Sequence, residues 1–356
     1  MSEFKLLPLP PEASLKSQAV WEHLVEAQHA MMELKYYAKT VPNQEILMNA
    51  VGLLEAKASS EIEGIRATLD EICLAGIFDG DFIPFSARDV RDYSDAMARG
   101  FELMREQGRL AVNTICEIQQ VLEHYTAGLR MESGTVLQNP SSGQIVYVPP
   151  QDFGEIMDLL RNLEQVFNED DFWPETDPLI KMAAAHYQFE SIHPFHDGNG
   201  RTGRILNVLY LVLKGGLDAP VLNLSRFILQ RRKDYYRLFR EVRQNGDWDG
   251  LVLFMLDAVA EASRATLRTV QEISRTMDET RRKIEGQRFC SPALLDALFL
   301  FPYTRTELFA QRLGVHRTTA SARLKALVEL GVLEKLTIDR KTYYVNRALF
   351  DVLSQS

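Results

Sequence analysis

The stretch that decides the reading is "HPFHDGNGRTGR", His193 to Arg204. It packs two histidines, a carboxylate, three glycines and two arginines between two helical patterns, "DPLIKMAAAHYQFESI" before it and "ILNVLYLVLKGG" after it. Glycines at 198, 200 and 203 permit tight turns and close approach of the backbone. Amide groups at a helix start point outward, and the helix dipole favours an anion there. Arg201 and Arg204 are three apart, so both can stand near one face of the first turns. Two guanidinium groups beside an amide nest suit a polyphosphate. GxxxxGK[ST] is absent, so this is not a Walker loop, and no strand precedes it as a dinucleotide fingerprint requires.

The first half of the stretch adds chemistry. Asp197, at the rim of the nest, is a natural magnesium ligand where phosphates bind. His193 lies four residues upstream and can take a proton from an attacking hydroxyl. Together these residues describe a site for attack of a hydroxyl on a nucleotide phosphorus. A metal-hydrolase reading of His186, His193, His196 and Asp197 leaves the glycines and arginines unexplained and lacks HExxH.

Outward from the stretch, the chain reads as mostly helix. Amphipathic patterns run through "SLKSQAVWEHLVEAQHAMMELKYYAKTV", "QEILMNAVGLLEAKASSEIEGI", "SARDVRDYSDAMARGFELMRE", "AVNTICEIQQVLEHYTAG" and "FGEIMDLLRNLEQVFNE". "SRFILQRRKDYYRLFREVRQNGDW" reads as one further helix. The long pattern ending in "RTMDETRRKIEG" becomes so charged that it is expected to project from the core as a connector. One hairpin interrupts the helices, Thr135 to Pro150, with turn residues Asn139, Pro140, Ser141, Ser142 and Gly143. It reads either as a connector or as a flap whose strand edge pairs with an extended partner segment.

From about Phe289 the pattern changes to helix, turn at Gly314-Val315, second helix and a two-stranded wing. That resembles a winged helix-turn-helix domain. Between Pro302 and Arg347 nine lysines and arginines face four acids, a local charge of +5 in a chain of 356 residues whose net charge is -9. "HRTTASARLKALVEL" offers Arg317, Thr318, Thr319, Ser321 and Arg323 to phosphates and base edges. Such modules also serve dimerisation or partner docking.

Composition bounds the rest. A whole-chain charge of -9 does not suit general coating of nucleic acid or anionic membrane. No run approaches the roughly 20 apolar residues of a membrane span. The start "MSEFKLLPLPPEAS" lacks the pattern of a signal peptide. Cys73, Cys116 and Cys290 show no CxxC spacing, so a reduced, cytoplasmic protein is expected.

"HPFHDGNGRTGR" matches HxFx(D/E)GNGRxxR at every fixed position and so resembles the signature of Fic-domain proteins. The likeness extends from about residue 40 to 265. It implies a mainly α fold, a Fic-type helical bundle carrying a β-hairpin flap, here with a C-terminal winged helix. The expected division is an N-terminal helical region 1–110 with an inhibitory helix at about 45–64, a core 111–265, a connecting helix 266–288 and a winged-helix domain 289–356. The resemblance implies transfer of AMP from ATP, with Mg2+, to a Ser, Thr or Tyr hydroxyl of a target protein, or of the chain itself. His193 resembles the general base, Phe195 a core anchor and Asp197 the magnesium ligand. The run Gly198, Asn199, Gly200, Arg201, Thr202, Gly203 and Arg204 resembles the ATP-binding loop, with Arg204 on the γ-phosphate. Val146, Tyr147, Val148 and Pro149 of the flap would dock the target and cover the nucleotide. Tyr235, Tyr236 and Asn245 would line the base or ribose.

Upstream, "SSEIEG" matches the family's inhibitory pattern (S/T)xxxE(G/N) at Ser59, Glu63 and Gly64. A salt bridge from Glu63 to Arg204 is then expected to hold the arginine off the γ-phosphate. A homodimer is implied by the resemblance. Two other functions stay open: a DNA-binding regulator whose Fic domain senses nucleotide, and a Fic-type enzyme that removes AMP or transfers another phosphate-containing group. The intact His193 favours an enzyme, because a sensor needs no base.

Overall fold

A computed structural model describes residues 4–77, 84–125, 128–138, 143–338 and 340–356. In the N-terminal half the helices are α1 (Gln18–Ala38), α2 (Gln44–Ile62), α3 (Leu69–Ala75), α4 (Phe85–Gln107), α5 (Val112–Glu123) and α6 (Phe153–Asn168). Then come α7 (Pro178–Ile192), α8 (Asn199–Leu213), α9 (Leu224–Gln230), α10 (Arg232–Asn245) and α11 (Trp248–Ile284). The C-terminal elements are α12 (Pro292–Phe299), α13 (Thr306–Leu313), α14 (Arg317–Glu329) and α15 (Arg347–Gln355). Helix starts follow local chemistry: Ser17 caps α1, Asn43 caps α2, and Asp177 caps α7 with Pro178 at its first position.

The hairpin pairs β1 (Leu137–Gln138) with β2 (Ile145–Tyr147), Leu137 opposite Tyr147. The expected turn residues Asn139, Pro140, Ser141 and Ser142 lie outside the described residues. A second sheet runs in the order β3 (Tyr303–Thr304), β5 (Lys341–Val345), β4 (Glu334–Ile338), all antiparallel. One continuous apolar core reaches from Leu6 to Leu353, so the C-terminal elements pack onto the bundle.

Two expectations are corrected. The segment "SRFILQRRKDYYRLF" is two helices broken at Arg231, not one. The charged end of α11 does not project. It buries Thr269, Val270, Ile273, Thr276, Met277, Thr280 and Ile284 on one side, with its arginines and glutamates on the other.

α2 is fixed by a buried carboxylate. Glu55 accepts hydrogen bonds from Tyr93 Oη of α4 at 3.1 Å and from the Ser225 N–H of α9 at 2.8 Å, and also from Ser225 Oγ. Burial raises its pKa. This clamp sets where the far end of α2, with Ser59 and Glu63, meets α8.

Candidate active site

α7 ends where His193 turns into the left-handed region, φ 49°. That turn carries the chain off the helix axis and into the loop. Phe195 is fully buried and anchors it. Asn199 closes the loop on itself: its Oδ1 accepts from the Phe195 N–H at 2.9 Å, and its Nδ2 donates to the Phe195 carbonyl at 2.8 Å. Gly198 at φ 78° then opens α8 with no side chain capping its amides. Among the described residues no side chain caps the start of α8, which therefore presents amide donors at the positive end of a dipole. Asp197 is exposed, and its Oδ1 accepts from the Gly198 N–H at 2.7 Å.

Burial, then the charge of Arg130, hold the His193 imidazole down to about 4, against the opposing pull of the Glu190 carbonyl and of Glu63 and Asp197. It is therefore neutral, and able to accept a proton, at physiological pH. Arg130 is the residue that sequence reading missed. It is buried, donates Nε to the His193 carbonyl at 2.7 Å and Nη2 to the Ile192 carbonyl at 3.1 Å, and also bonds Pro150 at the end of the hairpin. One guanidinium thus ties the loop to the flap. No local pattern marks it.

Arg204 is fully enclosed. Its Nη2 donates to Glu63 Oε1 at 2.7 Å and to the Ser59 carbonyl at 3.1 Å, and its Nε donates to Ser59 Oγ at 2.8 Å. Burial alone would raise the Glu63 carboxyl, but Arg204 beside it holds it below its ordinary value. Gly64, at φ 88°, ends α2 immediately after. A methyl group on Gly200 would fall on the Glu63 carboxylate, so α2 lies directly against the mouth of the α8 amides.

Arg201 departs from expectation. Its partners are not those of Arg204. Its buried guanidinium is taken by Asp89 of α4 and Glu123 of α5, which leaves it a structural tie rather than a free phosphate ligand. Three residues leave the two side chains about 60° apart around the helix, so they stand side by side yet meet different helices packed against α8. Asp89 also accepts from Ser60 Oγ at 2.8 Å, so α2 touches both arginines, one directly and one through a carboxylate.

Other expected site residues are distributed unevenly. Asn199 spends its side chain on the loop, leaving only its backbone for an anion. Thr202 and Gly203 are buried behind the first turn, Gly203 against the Glu190 carboxylate. Glu190 Oε1 is buried without a partner among the described residues, and burial pushes its carboxyl up to about 7. In the flap, Val146 and Val148 are exposed. Tyr147 faces inward and donates to the Ser191 carbonyl at 2.9 Å, so it anchors the flap, with Pro149 also buried. Tyr235 is buried with its hydroxyl 2.8 Å from His186 Nε2, behind the site rather than lining it. Tyr236 is partly exposed and senses the Glu63 carboxylate. Asn245 is exposed, bonds Glu241, and stands about 15 Å along α10 from Tyr235. His186 is committed to Tyr235, and no cluster of three metal-ligating side chains occurs among the described residues.

An exposed carboxylate beside an anion cradle fits a cation held mainly by substrate phosphates and water, as magnesium is in nucleotide sites. Asp197 would hold it.

A helical bundle organised around one amide-rich helix start, with a neutral imidazole at its entrance, is an anion-handling architecture. The chain belongs to the Fic/DOC family: the "Fic/DOC family N-terminal" model matches residues 21–102 and the "Fic/DOC family" model residues 109–211. Residues 273–349 match the "Protein adenylyltransferase SoFic-like, C-terminal domain" model. Relatives include the protein adenylyltransferase Fic of Drosophila willistoni, 32% identical over 111 residues, 31% of this chain and 20% of that protein. That of Aedes aegypti is 30% identical over 128 residues, 36% of this chain and 24% of its own length. The matched region thus spans about a fifth to a quarter of these relatives. A Fic family protein from Desulfovibrio desulfuricans G20 has the same fold over 95% of this chain and 98% of its own, with a TM-score of 0.61 at 21% identity. Fic-1 (aa134–508) from C. elegans aligns over 72% of this chain and 73% of its own, with a TM-score of 0.52 at 19% identity.

Proposed function

We propose that the chain is a protein adenylyltransferase that moves AMP from ATP to a Ser, Thr or Tyr hydroxyl of a target protein, and that α2 restrains it. The observation that carries this reading is the neutral His193 imidazole beside the uncapped start of α8, within a complete family motif. The target hydroxyl loses its proton to His193 as its oxygen attacks the α-phosphorus. The bond to the bridging oxygen breaks, and pyrophosphate leaves. The α8 amides stabilise charge on the phosphates. A magnesium ion at Asp197 would supply charge neutralisation between phosphate groups. The exposed edge and apolar side chains of β2, Ile145 and Val146, are suited to an extended target segment. Glu63 competes with the γ-phosphate for Arg204, which makes the resting chain autoinhibited.

The test uses ATP labelled at the α-phosphate, magnesium and a cell lysate. Labelled protein bands that appear with the chain and vanish on His193→Ala support the reading. Equal labelling by His193→Ala sinks it, and label released only from pre-modified protein would favour AMP removal instead.

A second reading concerns α14. It turns Arg317, Thr318, Thr319, Ser321 and Lys325 to solvent, and the β4–β5 hairpin adds exposed Lys335 and Arg340. This favours a contact with duplex DNA. A salt-dependent mobility shift of duplex DNA by the full chain supports it, and no shift at low salt ends it.

A further inference from the structure

Between Arg226 and Arg243 seven arginines and lysines face two acids, in a chain whose net charge is -9. α10 buries Tyr235, Leu238, Phe239 and Val242 against the bundle. Its other side carries Arg232, Tyr236, Arg240 and Arg243, at spacings of four, four and three, which set them in one row along the helix. Arg232 and Arg240 are exposed, Tyr236 is 44% exposed and Arg243 is half-buried, with Lys233 and Arg237 exposed beside the row. Arg237 has Asp234 at 3.3 Å, but among the described residues no carboxylate pairs with the three arginines of the row. Both ends of the row are fixed at the candidate site. Arg232 lies 5.7 Å from the centre of the Tyr236 ring, and its charge helps to hold the Glu63 carboxyl down. The Arg243 guanidinium lies 4.5 Å over the ring of Tyr147, which anchors the flap to the Ser191 carbonyl two residues before His193. The row thus runs from the end of α2 to the flap, over roughly 16 Å of helix.

We propose that this row is a docking track for an acidic segment of the target protein, and that it sets which hydroxyls are modified. What the track serves rests on the transferase reading; that it binds an acidic protein chain does not. The flap cannot supply such a choice. From Gln144 to Gln151 it carries no charged residue, so its strand edge and the exposed Ile145, Val146 and Val148 take extended chains without regard to charge. Cations without carboxylate partners beside an uncharged strand edge select by sign: Asp and Glu of a docked segment are attracted, and Lys and Arg are repelled. Arginine is the residue for this task, because its planar fork matches a carboxylate. An extended chain covers about 16 Å in about five residues, so the acids belong within about five positions of the modified hydroxyl. Nucleic acid is the other polyanion a basic row attracts. Single strands are held on successive aromatic platforms, and this row has one, Tyr236, so a protein chain is the better fit.

The test uses the full chain and three fluorescein-labelled peptides of equal length. Each has a central Ser-Thr-Tyr, flanked by Asp and Glu, by Gln and Ala, or by Lys and Arg. In fluorescence anisotropy at low salt the acidic peptide should bind about tenfold more tightly than the neutral one, and the basic one should bind least. Added salt should shrink the difference. Arg237→Glu and Arg240→Glu together, both at exposed positions, should weaken the acidic peptide about tenfold while leaving the thermal transition in place. Arg240→Lys keeps the charge and should stay close to wild type. Transfer of α-labelled AMP reads the consequence. In a Glu63→Gly background the acidic peptide should have the lowest KM, and the double charge reversal should raise that KM while kcat holds. Acidic-peptide binding that follows the arginines, with no peptide ever labelled, would support the acidic-chain site and sink the transferase reading. Equal binding of the three peptides, an acidic peptide indifferent to the charge reversal, equal KM for the acidic and neutral peptides, or a single-stranded DNA oligomer held more tightly through the same arginines would each overturn the proposal.

Discussion

Replacing Glu63 by glycine tests the restraint on Arg204 most directly. The pair is a single charge-assisted hydrogen bond of 2.7 Å between an enclosed guanidinium and a carboxylate whose side chain is 35% exposed. Bonds of this kind contribute about 1.5–3 kcal/mol, and partial exposure takes the expected value to about 2. At about 1.4 kcal/mol per factor of ten, the fraction of molecules with Arg204 free should rise roughly 30-fold. The backbone tolerates the change, since Glu63 already sits at the end of α2 with Gly64 following. The assay is the rate of α-labelled AMP transfer, wild type against Glu63→Gly, with Glu63→Gln expected between them because it keeps the shape and loses the charge. Without nucleotide, Glu63→Gly should also melt earlier, because among the described residues Arg204 keeps only Ser59 as a hydrogen-bond partner. ATP with magnesium should then raise its melting temperature more than it raises the wild type's, as a phosphate takes the place of the carboxylate. Rates within twofold of each other, with His193→Ala silent in both backgrounds, would refute the reasoning.

Arg130→Met should cost about 3–5 kcal/mol, since the His193, Ile192 and Pro150 carbonyls lose a common buried donor. Arg130 also depresses His193, so in the folded variant the acid limb of the transfer rate should move up from about 4 toward neutrality; an unmoved limb would count against that electrostatic role. Stability should itself depend on pH. His186, held down to about 3 chiefly by burial, and His193, held down to about 4, are neutral in the fold but protonate near 6.5 when unfolded. Their contribution is complete above about 6.5 and is lost as pH falls through the folded values. Glu190, raised to about 7, acts oppositely, its contribution complete below about 4.5 and lost as pH rises through 7. Denaturant melts from pH 4 to 8 should therefore show Glu190→Gln gaining stability over wild type above pH 7 and not at pH 4. Gly100→Ala should destabilise by about 1–3 kcal/mol, because its methyl would lie 2.7 Å from Ile118 Cδ1 and 2.8 Å from Leu209 Cδ1 where α4, α5 and α8 meet; an unchanged midpoint in urea would show that those side chains yield.

What the sequence could and could not express follows from how each feature is encoded. Helix starts such as Ser17 and Asp177-Pro178, and the loop glycines, are local, because their signal lies within a few residues of the structure they cause. The pairing of Glu63 with Arg204, 141 residues apart, has no local trace and became visible only through two matched motifs. Arg130, Glu190, Asp89 and Glu123 had neither aid. Each is an ordinary charged residue on its own segment, and each gains its meaning from elements packed against it. The end of α11 misled for a related reason. Three of the residues that bury its inner side are threonines, which composition counts as polar although a helix can pack their methyl groups. α12 was missed although Ser291-Pro292 and the apolar run behind it carry a helix start.

Arg201 and Arg204 show the same limit at the smallest scale. Their spacing places them on neighbouring parts of α8, and from spacing alone both could serve one polyphosphate. Which charge remains available is decided by the helices that α8 meets. α4 and α5 bring two carboxylates to Arg201 from the interior, where releasing it would strand them in low dielectric. α2 brings one carboxylate to Arg204 from the end of a helix, where Glu63 remains in contact with water and can withdraw into it. Arg201 is therefore the tie that keeps the site's shape, and Arg204 is the arginine that, on the proposed function, a nucleotide would compete for.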